Sequence, residues 1–121
     1  MLRRRADSWA DRLGGLATEP VGDGLTLHVA SAFQARRRGL AKMDAMPPDH
    51  ALHIMRCSSI HTIGMRFALD LVWLAKDGRV LRVDEGVARR RLKLCAGART
   101  VIETRAGAGR RFADAWSVRG A

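Results

Sequence analysis

The segment from Cys57 to Val83 constrains the fold more than any other, because it holds two apolar runs separated by the turn signal Lys76-Asp77-Gly78-Arg79. From Phe67 onward, Phe67, Leu69, Leu71 and Trp73 fall on one face of an extended chain and Ala68, Asp70, Val72 and Leu74 on the other, the period of two that defines a strand. Both faces are apolar apart from Asp70, so the strand has to be covered on both sides. Asp-Gly between apolar runs marks a hairpin, since glycine tolerates the positive φ of a tight turn. The expected return strand is Arg79 to Asp84.

The remaining elements are read outward from this hairpin. Ala6 to Leu13 predicts a short helix ended by Gly14-Gly15, and nothing before Val21 is expected to join the core. Leu25 to Val29 alternates as a strand with Leu25, Leu27 and Val29 inward and Thr26 and His28 outward. Ser31-Ala32-Phe33-Gln34 reads as a capping box opening a helix that Gly39 ends, with Phe33 and Leu40 toward the sheet. Pro47-Pro48-Asp49 is a stiff loop. A further strand runs from Ala51 to Met55, Arg89-Arg90-Arg91 repel one another into a solvated loop, and the last strand is Arg99 to Thr104. Phe112 and Trp116, at helical spacing, dock a closing turn. Strands that do not alternate strictly with helices exclude a doubly wound sheet. The fold class is α+β, mainly β: a curled, mostly antiparallel sheet or small barrel with one packed helix. Residues 1–20 form a basic arm and residues 21–118 one globular domain.

A chain of 121 residues buries roughly two thirds of its unfolded surface, enough for a core without covalent staples. Two cysteines, Cys57 and Cys95, are too few for a secreted disulfide scaffold. Arg3-Arg4-Arg5 opens like a signal peptide, but Asp7 and Asp11 break the apolar stretch that should follow, and no window approaches the roughly 20 apolar residues of a membrane span. The expectation is a cytoplasmic protein without membrane contact. The formal net charge of +10 favours anionic partners. Of the 22 basic residues only Lys42, Lys76 and Lys93 are lysines, however, and an arginine excess alongside abundant alanine and glycine also follows from GC-rich coding.

Four short motifs, in this order and spacing, resemble a known family, domain-of-unknown-function family 192. They are Arg38-Gly39-Leu40; His61-Thr62-Ile63-Gly64-Met65 leading into Leu69-Asp70; Lys76-Asp77-Gly78-Arg79-Val80; and Val101-Ile102-Glu103 followed by Gly107. The likeness runs from about Leu25 to Gly109. It implies a small β-rich domain with a curled or barrel-like sheet and no established activity. Departures are Ala41-Lys42 after Gly-Leu, Ala51-Leu52-His53-Ile54 in place of a Gly-Met-Leu-Phe type strand, a shorter and more basic C-terminal end, and no export signal of the kind many relatives carry.

The chemistry-bearing residues divide into four readings. Cys57-x-x-x-His61 with His53 and Cys95 supplies the N and S donors of a zinc site, but the spacing matches no common paired-ligand motif and the donors come from separate segments. No metal and no cofactor are therefore expected. Cys57 with His61 has the residue types of thiol catalysis, yet Asp70, placed well into its strand, is too distant to orient the histidine. Asp70 is expected to meet Arg36, Arg37 or Arg38, or backbone amides of the His61 to Met65 loop, because a lone buried carboxylate costs several kcal/mol. It and Glu103 are read as structural polar residues. The arginine clusters Arg3 to Arg5, Arg36 to Arg38, Arg89 to Arg91 and Arg110-Arg111 allow weak, sequence-blind nucleic-acid binding, and the few aromatics offer no stacking platform. The favoured description is a non-catalytic binding or accessory domain. Its surface for an unidentified ligand or protein is formed by His61, Thr62, Met65, Arg66 and Arg38, and the sequence is silent on oligomeric state.

Overall fold

The computed structural model describes residues 8–119, leaving aside the side chains of residues 33, 34 and 37. Arg3 to Arg5, and the side chains of Phe33, Gln34 and Arg37, therefore lie outside the described residues. Eight strands and three helices follow one another as α1 (Trp9–Leu13), β1 (Ala17–Gly22), β2 (Leu25–Ala30), α2 (Phe33–Arg38), β3 (His50–Ile54), β4 (Ser59–His61), β5 (Leu69–Leu74), β6 (Val80–Val87), β7 (Leu92–Leu94), β8 (Thr100–Arg105) and α3 (Gly109–Arg119).

Six strands form one sheet in the order β1-β2-β3-β8-β5-β6, and β4 and β7 form a separate ribbon. Only β2 and β3 run parallel; every other pairing is antiparallel. The sheet keeps two edges, β1 and β6, so the open form of the expected architecture is the one adopted.

Strand β5, between β8 and the edge strand β6, is buried at every position, as its doubly apolar sequence requires. Its hairpin with β6 closes through Gly78 at φ +89°. One sheet face carries Leu52, Ile54, Leu69, Leu71, Trp73 and Val101 and packs against Leu13, Leu40, Met43, Met46, Ile60 and Met65. The opposite face carries Ala51, Val72, Leu74 and Ile102 and packs against Phe112 and Ala113 of α3.

Several sequence expectations are corrected. Core begins before Val21: Leu13 is buried and β1 pairs with β2, because the chain after Gly14-Gly15 turns back along the sheet edge. His28 is buried rather than outward, stacked on His50 with Trp9 against both rings, so α1 supplies the cover that local alternation could not foresee. The N-cap of α2 is Ala32, one residue later than the expected Ser31, and an alanine cap has no side-chain hydrogen bond to give; the Gln34 half of the expected capping box lies outside the described residues. The main helix against the sheet is α3, anchored by fully buried Phe112, and not the short α2.

Asp70 finds backbone amides, but not those expected. Its Oδ1 accepts from Gly86 N at 2.8 Å and its Oδ2 from Gly107 N and Gly109 N at 2.9 Å each. The β5–β6 register shifts between Leu69 and Leu71, and Gly86, at φ +60°, lies in the stretch of β6 facing that shift. At Gly109 a Cβ would lie 2.6 Å from Asp70 Cβ, so only glycine lets α3 begin this close to the carboxylate.

Candidate functional site

On the face opposite α3, a cavity of about 170 Å³ opens between the end of α2, the C-terminal end of β3 and the segment from Cys57 to Met65. Its floor is Glu103. This side chain stands in mid-β8 opposite Leu52 of β3 and Leu71 of β5, so strand alternation points it at the covered face and not at solvent. It is wholly buried, and neither carboxylate oxygen has a hydrogen-bond partner. Leaving a buried polar group unpaired costs about 1–3 kcal/mol, more when it is charged. The charged form is accordingly disfavoured: burial pushes the Glu103 carboxyl up to about 7, against an opposing pull from Arg12.

Gly39 makes room for that carboxylate. It ends α2 at φ +50° and ψ −135°, and a Cβ there would sit 2.8 Å from Glu103 Oε1. Arg12 of α1 holds this turn from behind, donating to the carbonyls of Ala41 (2.8 Å) and Gly39 (3.2 Å). Arg36 and Arg38 line the cavity from α2. The Arg36 guanidinium is fixed by donation to the carbonyls of Met55 and Arg56, both at 2.8 Å. The walls are Ala41, Ile54, Ile60, Ile63 and Met65, with Cys57, Ser59 and His61 completing the opening. An acid at the base, the fixed Arg36 and the neighbouring Arg38 along the lining, and aliphatic walls can bind a small polar-headed molecule.

The surface residues expected from sequence separate here. His61, Met65 and Arg38 line the cavity. Thr62 is buried and structural: its Oγ1 donates to the carbonyl of Ala88 (2.8 Å) and accepts from Arg91 N (2.7 Å), clasping the loop to the arginine run. Arg66 pairs with Asp44 at 2.8 Å on the surface and does not line the cavity.

The four candidate metal donors do not share one side of the sheet. His53 faces α3, with Nε2 2.9 Å from Thr100 Oγ1 and its ring edge-on to Trp116. Cys57 and His61 belong to the opposite face, and Cys95 is a buried free thiol. Among the described residues no group of three His, Cys, Asp or Glu side chains is placed to hold a metal ion. The Cys57 thiol donates to the carbonyl of Ser59 at 3.1 Å. Burial, with the nearby Glu103 charge adding, raises its pKa above the ordinary value, the wrong direction for a ready thiolate nucleophile.

Sequence reasoning counted Glu103 as structural and missed that it has no partner. Its sequence signal is slight, a single acid after Val101 and Ile102 in β8, and only assembly of the surrounding segments shows that nothing answers it.

The model of domain-of-unknown-function family 192, described as "Uncharacterized ACR, COG1430", matches residues 16–113. Among curated proteins nothing matches. Of solved structures, a Sinorhizobium meliloti 1021 protein described as a "putative transcription regulator" is similar with a TM-score of 0.66 and 23% identity, over 73% of this chain and 74% of that one. A protein of unknown function from Novosphingobium aromaticivorans DSM 12444 is similar with a TM-score of 0.66 and 16% identity, over 84% of this chain and 89% of that one. At these identities the likeness is one of fold.

Proposed function

The chain belongs to domain-of-unknown-function family 192, and from that premise we propose that it is a small non-catalytic module that binds a low-molecular-weight ligand in the cavity above Glu103. One observation carries this reading: a wholly buried carboxylate, without a protein partner, forms the floor of a cavity that reaches the surface. Folded proteins pair most of their buried polar atoms, and an exception at the base of a cleft supports a binding site there. The other buried acid, Asp70, accepts three backbone N–H groups and shows what full satisfaction looks like in this fold.

Thiol catalysis by Cys57 and His61 is the weaker reading, because the Cys57 pKa moves away from the thiolate. A thiol probe at neutral pH should label Cys57 no faster than free cysteine. Transcriptional regulation, the description carried by the S. meliloti neighbour, has no support at the cavity.

Amide chemical shifts followed by NMR during titration with a set of small amines, carboxylic acids, alcohols and amides test the reading. At least one class should move the signals of Gly39, Cys57, His61, Gly64 and Met65 together. Shifts scattered over the surface, or concentrated elsewhere, would overturn it.

A further inference from the structure

We propose that the ligand class is a small zwitterion of the α-amino-acid type with an aliphatic side chain, its ammonium group paired with the Glu103 carboxylate and its own carboxylate turned toward Arg36 and Arg38. This deepens the binding reading above and rests on it. Each part of the ligand answers a different part of the cavity. In its ionised form the floor offers two acceptor oxygens and no donor, so the group that pairs with that form must donate hydrogen bonds. An ammonium group carries three donors and the compensating charge.

The mouth has the opposite character. Arg36 is held rigidly by the Met55 and Arg56 carbonyls, and Arg38 stands beside it. A purely cationic ligand would have to pass these guanidiniums with Arg12 also nearby, and a purely anionic one would meet the Glu103 charge. A molecule with a cation at one end and an anion a few bonds away suits both. Between the two ends the walls are Ile54, Ile60, Ile63 and Met65. Ile63 is 63% exposed, an apolar side chain at the mouth left for a ligand to cover. Filled at the packing density of a protein interior, about 0.75, the volume of about 170 Å³ holds about ten non-hydrogen atoms, the size of valine or leucine.

Proton balance gives the proposal a signature. The groups around Glu103 are Arg12 from α1, Arg36 and Arg38 from α2, Cys57 and His61 from the covering segment, and the apolar Leu52 and Leu71 on the flanking strands. Near neutral pH the empty site is partly protonated. Seating an ammonium group favours the ionised carboxylate, so the Glu103 proton leaves to solvent as the ion pair forms. Affinity should rise with pH up to about 7 and then level off.

Calorimetric titration of the full chain with L-leucine and L-valine, in two buffers of different ionisation enthalpy at pH 6.5, tests this. Isovalerate, isoamylamine and N-acetyl-L-leucine serve as single-charge or blocked probes. We expect the two amino acids to bind with net proton release, the three probes to bind at least tenfold more weakly, and the isosteric E103Q variant to lose at least tenfold for the amino acids. If isovalerate binds as well as L-leucine with proton uptake, or no amino acid binds at 10 mM, the zwitterion assignment is wrong. In either case the amide shifts decide separately about the cavity: a probe that moves Gly39 and Gly64 in the wild type but not in E103Q leaves the binding reading standing, and no probe doing so removes both.

Discussion

Glu103 and His53 occupy adjoining strands but opposite faces, and their buried states act on stability in opposite directions. Glu103 has a folded pKa of about 7 against an ordinary 4.5, so its contribution is fully present below about 4.5 and is lost as pH rises through 7. His53 is buried neutral with a folded pKa of about 4 against 6.5, chiefly through burial, so its contribution is present above 6.5 and is lost as pH falls through 4. Each amounts to about 3 kcal/mol at 1.36 kcal/mol per pKa unit. Between pH 4.5 and 6.5 the two slopes cancel, so substitution should expose each one. In urea titrations at pH 4.5, 5.5 and 7.5, E103Q should become steadily more stable with rising pH, and H53Q should become less stable over the same range. Parallel pH profiles for wild type and E103Q would show that Glu103 does not titrate as its burial demands. Gly39→Ala introduces both the Oε1 clash and a left-handed φ, and should cost about 1–3 kcal/mol in the same assay.

The elements differ in how plainly the sequence announces them. The β5–β6 hairpin is legible because its signals, alternation and Asp-Gly, are local. The three-residue strands β4 and β7 carry no measurable period and pair across an intervening hairpin, so nothing local reveals them. For Asp70 the kind of partner could be deduced, since a carboxylate in an apolar strand must be answered. Its location could not, because the answering amides come from Gly86, in the irregular stretch of β6, and from Gly107 and Gly109 at the entry to α3, up to 39 residues away. Half of the candidate loop was legible from the chemistry of its residues, and Glu103 was not, because the emptiness around it belongs to four segments at once. The Asp70 junction makes α3 an element that is bolted on rather than merely packed. D70N presents an amide nitrogen or a neutral oxygen to three donors, and should cost about 3 kcal/mol or more. It should also strip hydrogen-exchange protection from the Gly107 and Gly109 amides before the β5–β8 core is affected. Unchanged protection at those two amides would show that helix packing alone holds α3.

At the scale of the whole molecule the excess positive charge is less available than its formal value suggests. Arg66, Arg82, Arg110, Arg111 and Arg119 are each paired with a carboxylate. The Arg36 guanidinium is held at Nε and Nη2 by backbone carbonyls, which leaves it Nη1 for an anion in the cavity and little for the outer surface. Arg89, Arg90 and Arg91, by contrast, are exposed together on one loop. Such a cluster neutralises about three phosphates, which gives a salt slope near −3 and a fall of roughly 20-fold in duplex affinity between 50 and 150 mM salt. Fluorescence anisotropy with a random 24-base-pair duplex should therefore show weak binding at low salt that is gone at physiological salt. Replacing all three arginines with alanine should flatten the slope by about 3, whereas E103Q should leave it untouched. The two surfaces lie on separate structures, the loop before β7 and the cavity over β8, so their energetics should be independent. Binding that persists at 150 mM salt, or that weakens in E103Q, would mean that nucleic acid engages the cavity itself and that the acid at its floor serves a larger partner than a ten-atom ligand.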